Sequence, residues 1–297
     1  MTPFYLLGSG LGKRTAMLFV SRGRDKTAAV GDAVRAAVRS GPRMSLYFEE
    51  LDFRPTPMGV LSLRRRRSPT SGLDIYEIKL GDEFLMSSAF TVAEIELARL
   101  GLAALARTNL DVVVGGLGLG YTALAALENP QVCSLVVVDA LAEVIEWHAQ
   151  GLLPLGQQLT GDARCRLVNG DFFAMSDSAA GFDPDAPGRC FDAVLVDIDH
   201  SPQNWLHPRH AALYRPQGLA KLAAHLKPGG VFALWSNDPP DPAFERVLAG
   251  AFATSVAHVV SFENPLQHRE ASNTVYVAVK ADLPIPRANA GTAPATN

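Results

Sequence analysis

The 297-residue chain has only three cysteines, Cys133, Cys165 and Cys190. They are too few and too scattered for a disulfide framework, and none sits in a C-x-x-C pair for zinc or redox chemistry. The expected setting is a reduced, cytoplasmic compartment. Strong charge of one sign is absent as well: 27 basic residues face 30 acidic ones, a formal net charge of -3. That balance counts against a broadly basic surface for nucleic acid. Long apolar runs are also missing. The greasiest stretch, 112–127, is broken by four glycines and stopped by Glu128. It falls short of the roughly 20 apolar residues of a membrane span. The N-terminus, Met1-Thr2-Pro3-Phe4, has no basic residue ahead of a short apolar run, unlike a secretory leader. With 48% hydrophobic residues and 19% charged, the chain still has ample material for a large core.

Four parts are expected along the chain. Residues 1–43 read as an arm outside the folded body, and Met44 as an alternative native start. Within the arm, Gly8–Thr15 fails the phosphate-loop spacing, which needs glycine at Leu7 and a hydroxyl at Arg14. Residues 44–90 read as a small antiparallel β unit, with alternating segments at Gly59–Leu63 and Asp74–Ile78. Arg64–Arg67 lie between them and read as the solvated tip of a hairpin; gripping an anion or RNA is the weaker alternative. From Thr91 to Arg107 the apolar spacing is helical.

Strands then alternate with helices. The expected strands are Val112–Val114, Ser134–Val138, Cys165–Val168, Ala193–Asp197 and Val231–Trp235, with Val256–Ser261 and Thr274–Val279 after them. The expected helices are Thr122–Glu128, Leu141–Gln150, Pro208–Leu226 and Pro242–Phe252. This order predicts an α/β fold over 91–280, a doubly wound, mostly parallel seven-stranded sheet of Rossmann-like type. Residues 281–297, rich in Pro, Ala, Asn and Thr, read as a disordered tail.

The first strand of this body runs into Gly115-Gly116-Leu117-Gly118-Leu119-Gly120. A glycine-rich turn between strand and helix lets backbone approach a ligand, and equally makes a plain tight connection. Its G-x-G-x-G spacing is not the pyrophosphate fingerprint, which favours a nucleoside without pyrophosphate. Asp139 ends the second strand, where a carboxylate can bind both ribose hydroxyls or cap the next helix. Asp171 ends the third, where it can take an exocyclic adenine amine or again cap a helix. Asp197 ends the fourth, and the loop after it carries Asp199 and His200.

His200 is a candidate general base, an imidazole being the usual side chain for that role, with Asp197 or Asp199 to orient it. The alternative is an exposed loop histidine. Trp205 either walls an acceptor pocket or packs in the core. Asn237 follows the fifth strand and is a second candidate for that pocket. His200, His207 and His210 are spaced irregularly, so no metal site is expected. Glu94 opens the first helix of this body and could face the site; a first-turn acid favoured by the helix dipole is the more expected role.

These segments together resemble the spermidine synthase family of the class I S-adenosylmethionine-dependent methyltransferase fold. The residues that carry the resemblance are Val112–Gly120, Val136–Glu146, Val168–Phe173 and Phe191–Asp197. The resemblance spans roughly 44–280. It implies that Asp139 holds the cofactor ribose, Asp171 the adenine amine and Gly115–Gly120 the nucleoside backbone. The cofactor implied is S-adenosylmethionine or its decarboxylated form.

The departures fall on polyamine-binding groups. The family carries an Asp in the glycine loop where Gly118 stands here. Its Tyr-His pair after Asp82-Glu83-Phe84 is missing, with Ser87 and Ser88 nearby. His200 replaces its second Asp after the fourth strand. The expectation is a spermidine-synthase-like transferase, not a true spermidine synthase, that moves an alkyl group to a small-molecule acceptor. Methyl transfer, aminopropyl transfer proper and non-catalytic nucleoside binding stay open. Dimers common in the family imply a homodimer as the assembly to test.

Overall fold

The computed structural model describes residues 48–69, 71–264 and 269–282. The arm before residue 48, with Gly8–Thr15 and Met44, and the tail from 283 lie outside the described residues.

Four antiparallel strands form the β unit in the order β1-β2-β3-β4: β1 Phe48–Thr56, β2 Gly59–Arg67, β3 Asp74–Leu80 and β4 Glu83–Ser87. Leu61, Leu63 and Ile78 turn inward and are buried. The arginine run is a correction: Arg64–Arg67 belong to β2 and do not form a hairpin tip. Acids on the neighbouring strands neutralise three of them, Arg64 with Glu50, Arg65 with Glu49 and Arg66 with Glu77. Opposite charges across adjacent strands offset the repulsion that a like-charge run otherwise suffers.

The larger body is a seven-stranded sheet ordered β10-β11-β9-β8-β5-β6-β7. Its strands are β5 Leu110–Gly115, β6 Val132–Asp139, β7 Cys165–Asn169, β8 Phe191–Val196, β9 Leu226–Ser236, β10 Thr254–Asn264 and β11 Arg269–Val279. The five from β9 to β7 are parallel, while β11 and β10 join antiparallel. This is the expected α/β sheet.

The helices are α1 Val92–Ala103, α2 Tyr121–Glu128, α3 Ala142–Ala149, α4 Gly156–Gly161, α5 Phe172–Asp177, α6 Pro216–Ala224 and α7 Pro242–Ala251. Alternation along the central strands feeds two cores. Val112, Val114 and Leu195 face one, Val113, Val194 and Val196 the other. A sheet buried on both faces explains why these strands read as unbroken apolar runs.

Two other expectations need correction. The helix expected over 208–226 divides into a 3-10 turn, Pro208–Ala212, and α6. Pro216 forces Arg215 into extended backbone and so ends the first piece. The strand expected over Val231–Trp235 is longer: β9 starts at Leu226, and Lys227–Gly230 form an irregularity inside it, where the register jumps from Phe191–Leu226 to Ala193–Val231.

The sheet's two edges differ in character. At the amino edge, Asp111 and Asp192 bind Lys227 at 2.7 and 2.8 Å, and Arg189 and Arg107 add to the cluster. At the carboxyl edge the chain turns both ways from β5, to β6 on one side and β8 on the other, and leaves a crevice between the connecting loops. The β unit covers that crevice. Its Asp52 accepts the indole N–H of Trp147 on α3 at 2.6 Å. No helix of the described residues is long and apolar enough to cross a membrane.

Candidate functional site

A cavity of about 530 Å³ opens at the carboxyl edge, within the ~300–1,000 Å³ of small-molecule sites. The α/β body supplies its floor, and Ile78, Leu80, Leu85 and Met86 of the β unit supply a wall. Of the residues singled out in the sequence, Gly116, Gly118, Asp139, Asp171, Asp197 and His200 line it.

The glycine loop is shaped by contacts. Gly116 has φ +92°, and a Cβ there would lie 2.1 Å from the carbonyl oxygen of Asp197. Gly118 has φ +47°, and a Cβ there would lie 2.3 Å from the sulfur of Met86. That sulfur also accepts the Leu119 N–H at 2.9 Å. Gly115 and Gly120 serve packing and do not reach the cavity. A Cβ on Gly115 would meet the Phe172 ring at 2.6 Å, and one on Gly120 would meet Leu159 at 2.6 Å.

Asp139 latches this loop to the end of β6. Its two oxygens accept the N–H groups of Leu117 and Leu141, each at 2.8 Å. Burial nevertheless pushes its carboxyl above the ordinary range. Asp171 is the N-cap of α5: one oxygen accepts from Phe173 and Ala174 at 3.0 and 3.1 Å. Asp171 therefore has the capping role weighed in the sequence, whereas the N-cap of α3 is Leu141 and Asp139 fixes the loop instead; both carboxylates still face the cavity.

Asp197 accepts the Thr122 hydroxyl at 2.7 Å. Its neighbour in the cavity wall is Glu94, on the first turn of α1. The helix approaches the sheet closely because Gly101 sits over Leu195 and Ala233, where a Cβ would be 2.8 Å from Leu195. Glu94 is thereby held against β8 and β9: it keeps its first-turn place and also faces the site, the alternative weighed for it.

Burial raises Glu94 to about 8, reinforced by the negative charge of Asp197, and burial raises Asp197 to about 6. The pair therefore keeps a proton near neutral pH, chiefly on Glu94. Since the folded state binds that proton more tightly than the unfolded chain, its stabilising effect is full at pH 4. It is lost as pH rises towards 8. Glu94→Gln should therefore flatten the decline in melting temperature between pH 5 and pH 8.5, gaining about 2 kcal/mol at the upper end. Parallel melting curves for variant and wild type across that range would refute it.

The groups expected around His200 arrange differently. His200 lines the cavity, but its Nε2 lies 2.8 Å from Glu83 of β4. Asp199 does not orient it. Asp199 is buried, accepts from Leu206 N–H and Tyr214 O–H at 2.8 Å each, and holds His210 Nδ1 at 2.8 Å. The ring of His210 stacks on Phe173 at 3.7 Å. His207 caps the 3-10 turn through Arg209 N–H. The three histidines thus have separate partners. Trp205 and Asn237, expected in the acceptor pocket, are outside its lining. The Trp205 indole donates to Pro202 carbonyl at 2.8 Å, and Asn237 pairs with Asn273.

Sequence reasoning missed Met86, Phe173 and His210 as lining residues and set Glu94 aside. Met86 reads as an ordinary apolar strand residue. His210 had a usable signal, because Asp199 and Tyr214 stand 11 residues before and 4 after it, within reach of one loop.

No protein-family model matches the chain. Among solved structures, the spermidine synthase from Thermotoga maritima is similar at 17% identity and TM-score 0.59, covering 82% of this chain and 83% of that one. A spermidine synthase in complex with the transition-state analogue AdoDATO matches at 17% identity and TM-score 0.60, covering 82% and 84%. The chain shares the α/β fold of these spermidine synthase structures.

Proposed function

We propose that the protein is a group transferase that binds a sulfonium nucleoside, S-adenosylmethionine or its decarboxylated form, and alkylates a small acceptor. The observation that carries this reading is the meeting of Gly118, Asp139, Asp171 and Asp197 in one cavity at the carboxyl edge. Each comes from the end of a different strand, as expected for a ligand crevice at a topological switch point. The donor set fits a nucleoside. Each Asp139 oxygen receives one backbone N–H and keeps a lone pair for a ribose hydroxyl. Asp171 uses one oxygen as a cap, and the other accepts no bond among the described residues. Val138, Leu141 and Val144 give the apolar surface a base requires.

When bound, the nucleoside supplies a carbon made electrophilic by positively charged sulfur. The chain's part is to position the acceptor and take its proton. Asp197, with Glu94 beside it, is the proton acceptor in this reading. His200 is engaged by Glu83 and serves as a lining residue.

A true spermidine synthase is disfavoured because Met86 fills the space where the family's loop carboxylate would project from position 118. Methyl transfer is accordingly the second reading. Calorimetry with S-adenosylmethionine, its decarboxylated form, S-adenosylhomocysteine and methylthioadenosine separates the two. A preference for the carboxylated ligands eliminates aminopropyl transfer, and a preference for the decarboxylated one eliminates methyl transfer. Failure of all four to bind would overturn the proposal.

Gly118→Asp alone should lower the melting temperature, because it displaces Met86. Met86→Ala in the same chain should recover at least half of that loss, and a double variant no more stable than the single one would contradict the contact.

A further inference from the structure

The cavity has two ends of unlike chemistry. Asp139 and Asp171 stand at the ends of β6 and β7, on one side of the glycine loop. Asp197 and Trp235 stand at the ends of β8 and β9, on the other side, with Glu94 of α1 against them. Among the described residues, no further carboxylate lines the cavity. The nucleoside-side pair already accepts two backbone N–H groups each. Besides the nucleoside-side pair, the cavity therefore offers one pair of acids, one indole and the carbon surface of Ile78, Leu80 and Leu85. The remaining ionisable lining groups are Arg209 and the imidazoles of His200, His207 and His210, all neutral or positive.

An ammonium belongs on the Glu94–Asp197 pair. It would replace the proton the pair keeps, and Trp235 provides a face suited to a cation or an alkyl stem. A second ammonium has no such partner, since Glu83, the acid next to the lining, is engaged by His200. It would face carbon, an arginine or an imidazole, and burying an unpaired charge there is strongly unfavourable. On the nucleoside reading above, we infer that the acceptor is a primary monoamine with an apolar tail, and not a diamine. Its ammonium sits on Glu94 and Asp197 and its tail lies along Leu80 and Leu85.

Calorimetric titration tests this on the full chain, with and without saturating methylthioadenosine. The probes are n-hexylamine, 2-phenylethylamine, putrescine and the uncharged n-hexanol. Hexylamine should bind at least about tenfold more tightly than either putrescine or hexanol. Glu94→Gln should weaken hexylamine by about tenfold and leave methylthioadenosine within about twofold of wild type.

Putrescine binding as tightly as hexylamine would overturn the monoamine assignment. Hexanol matching hexylamine, or Glu94→Gln leaving hexylamine affinity unchanged, would overturn the role of the acid pair. Absence of methylthioadenosine binding, with amine binding intact in the nucleoside-free arm, would instead overturn the nucleoside reading and leave the amine site standing.

Discussion

Asp139→Ala should weaken methylthioadenosine by about 100-fold or more, a loss of about 3 kcal/mol. Two effects add. The carboxylate is the proposed acceptor for the ribose hydroxyls, and hydrogen bonds to a charged group contribute about 1.5–3 kcal/mol each. The same carboxylate ties Leu117 of the glycine loop to Leu141 at the start of α3. Its removal leaves two N–H groups without their acceptor and loosens the loop that the nucleoside must meet. Asp139→Asn separates the contributions. An asparagine keeps one carbonyl acceptor but puts two donors where an acceptor stood, so it should retain the fold and recover only part of the affinity. Affinity for methylthioadenosine within about threefold of wild type in Asp139→Ala would refute the ribose assignment.

Gly116→Ala should be among the most damaging single methyl additions in the described chain. The obstacle is backbone, the Asp197 carbonyl 2.1 Å from the new Cβ, in a left-handed conformation that already disfavours a side chain. Relief would require β5 and β8 to part at their ends, where Asp197 N–H donates to the Gly115 carbonyl at 2.8 Å. A loss of about 3 kcal/mol or more is expected, roughly 6–12 °C in melting temperature for a body of this size. Gly161→Ala is the matched control. It ends α4 with nothing within 4 Å of the added carbon, and should be neutral or stabilising by a few tenths of a kcal/mol. Gly116→Ala melting within about 1 °C of wild type would show that the loop yields where these contacts say it cannot.

The contrast between these residues explains what the chain's order reveals unaided. Strand-terminal positions follow from alternation and length, so Asp139, Asp171 and Asp197 could be placed at one sheet edge before any contact was known. The arginine run could not be placed, because whether β2 ends at residue 63 or 67 depends on Glu49, Glu50 and Glu77 in neighbouring strands. Glu94 was legible as an acid in a first helical turn, but that description fits a solvated acid equally well. Only the close passage of Gly101 over Leu195 settles which face it takes. Likewise the partner of His200, Glu83, stands 117 residues away, and no local spacing announces it. Asp199 was drawn to His200 by adjacency, whereas in the fold consecutive side chains at a loop point apart, and Asp199 turns inward to His210 and Tyr214. Alternation placed the central strands, while the pairings inferred from sequence proximity did not hold.

The contact between Met86 and Gly118 also makes the glycine loop answer to the β unit. A thioether from β4 seats on Leu119 N–H and fills the space above Gly118. The loop therefore takes part of its shape from a strand outside the α/β sheet. A substitution at 86 can reshape the nucleoside end of the cavity without touching any residue of the loop itself.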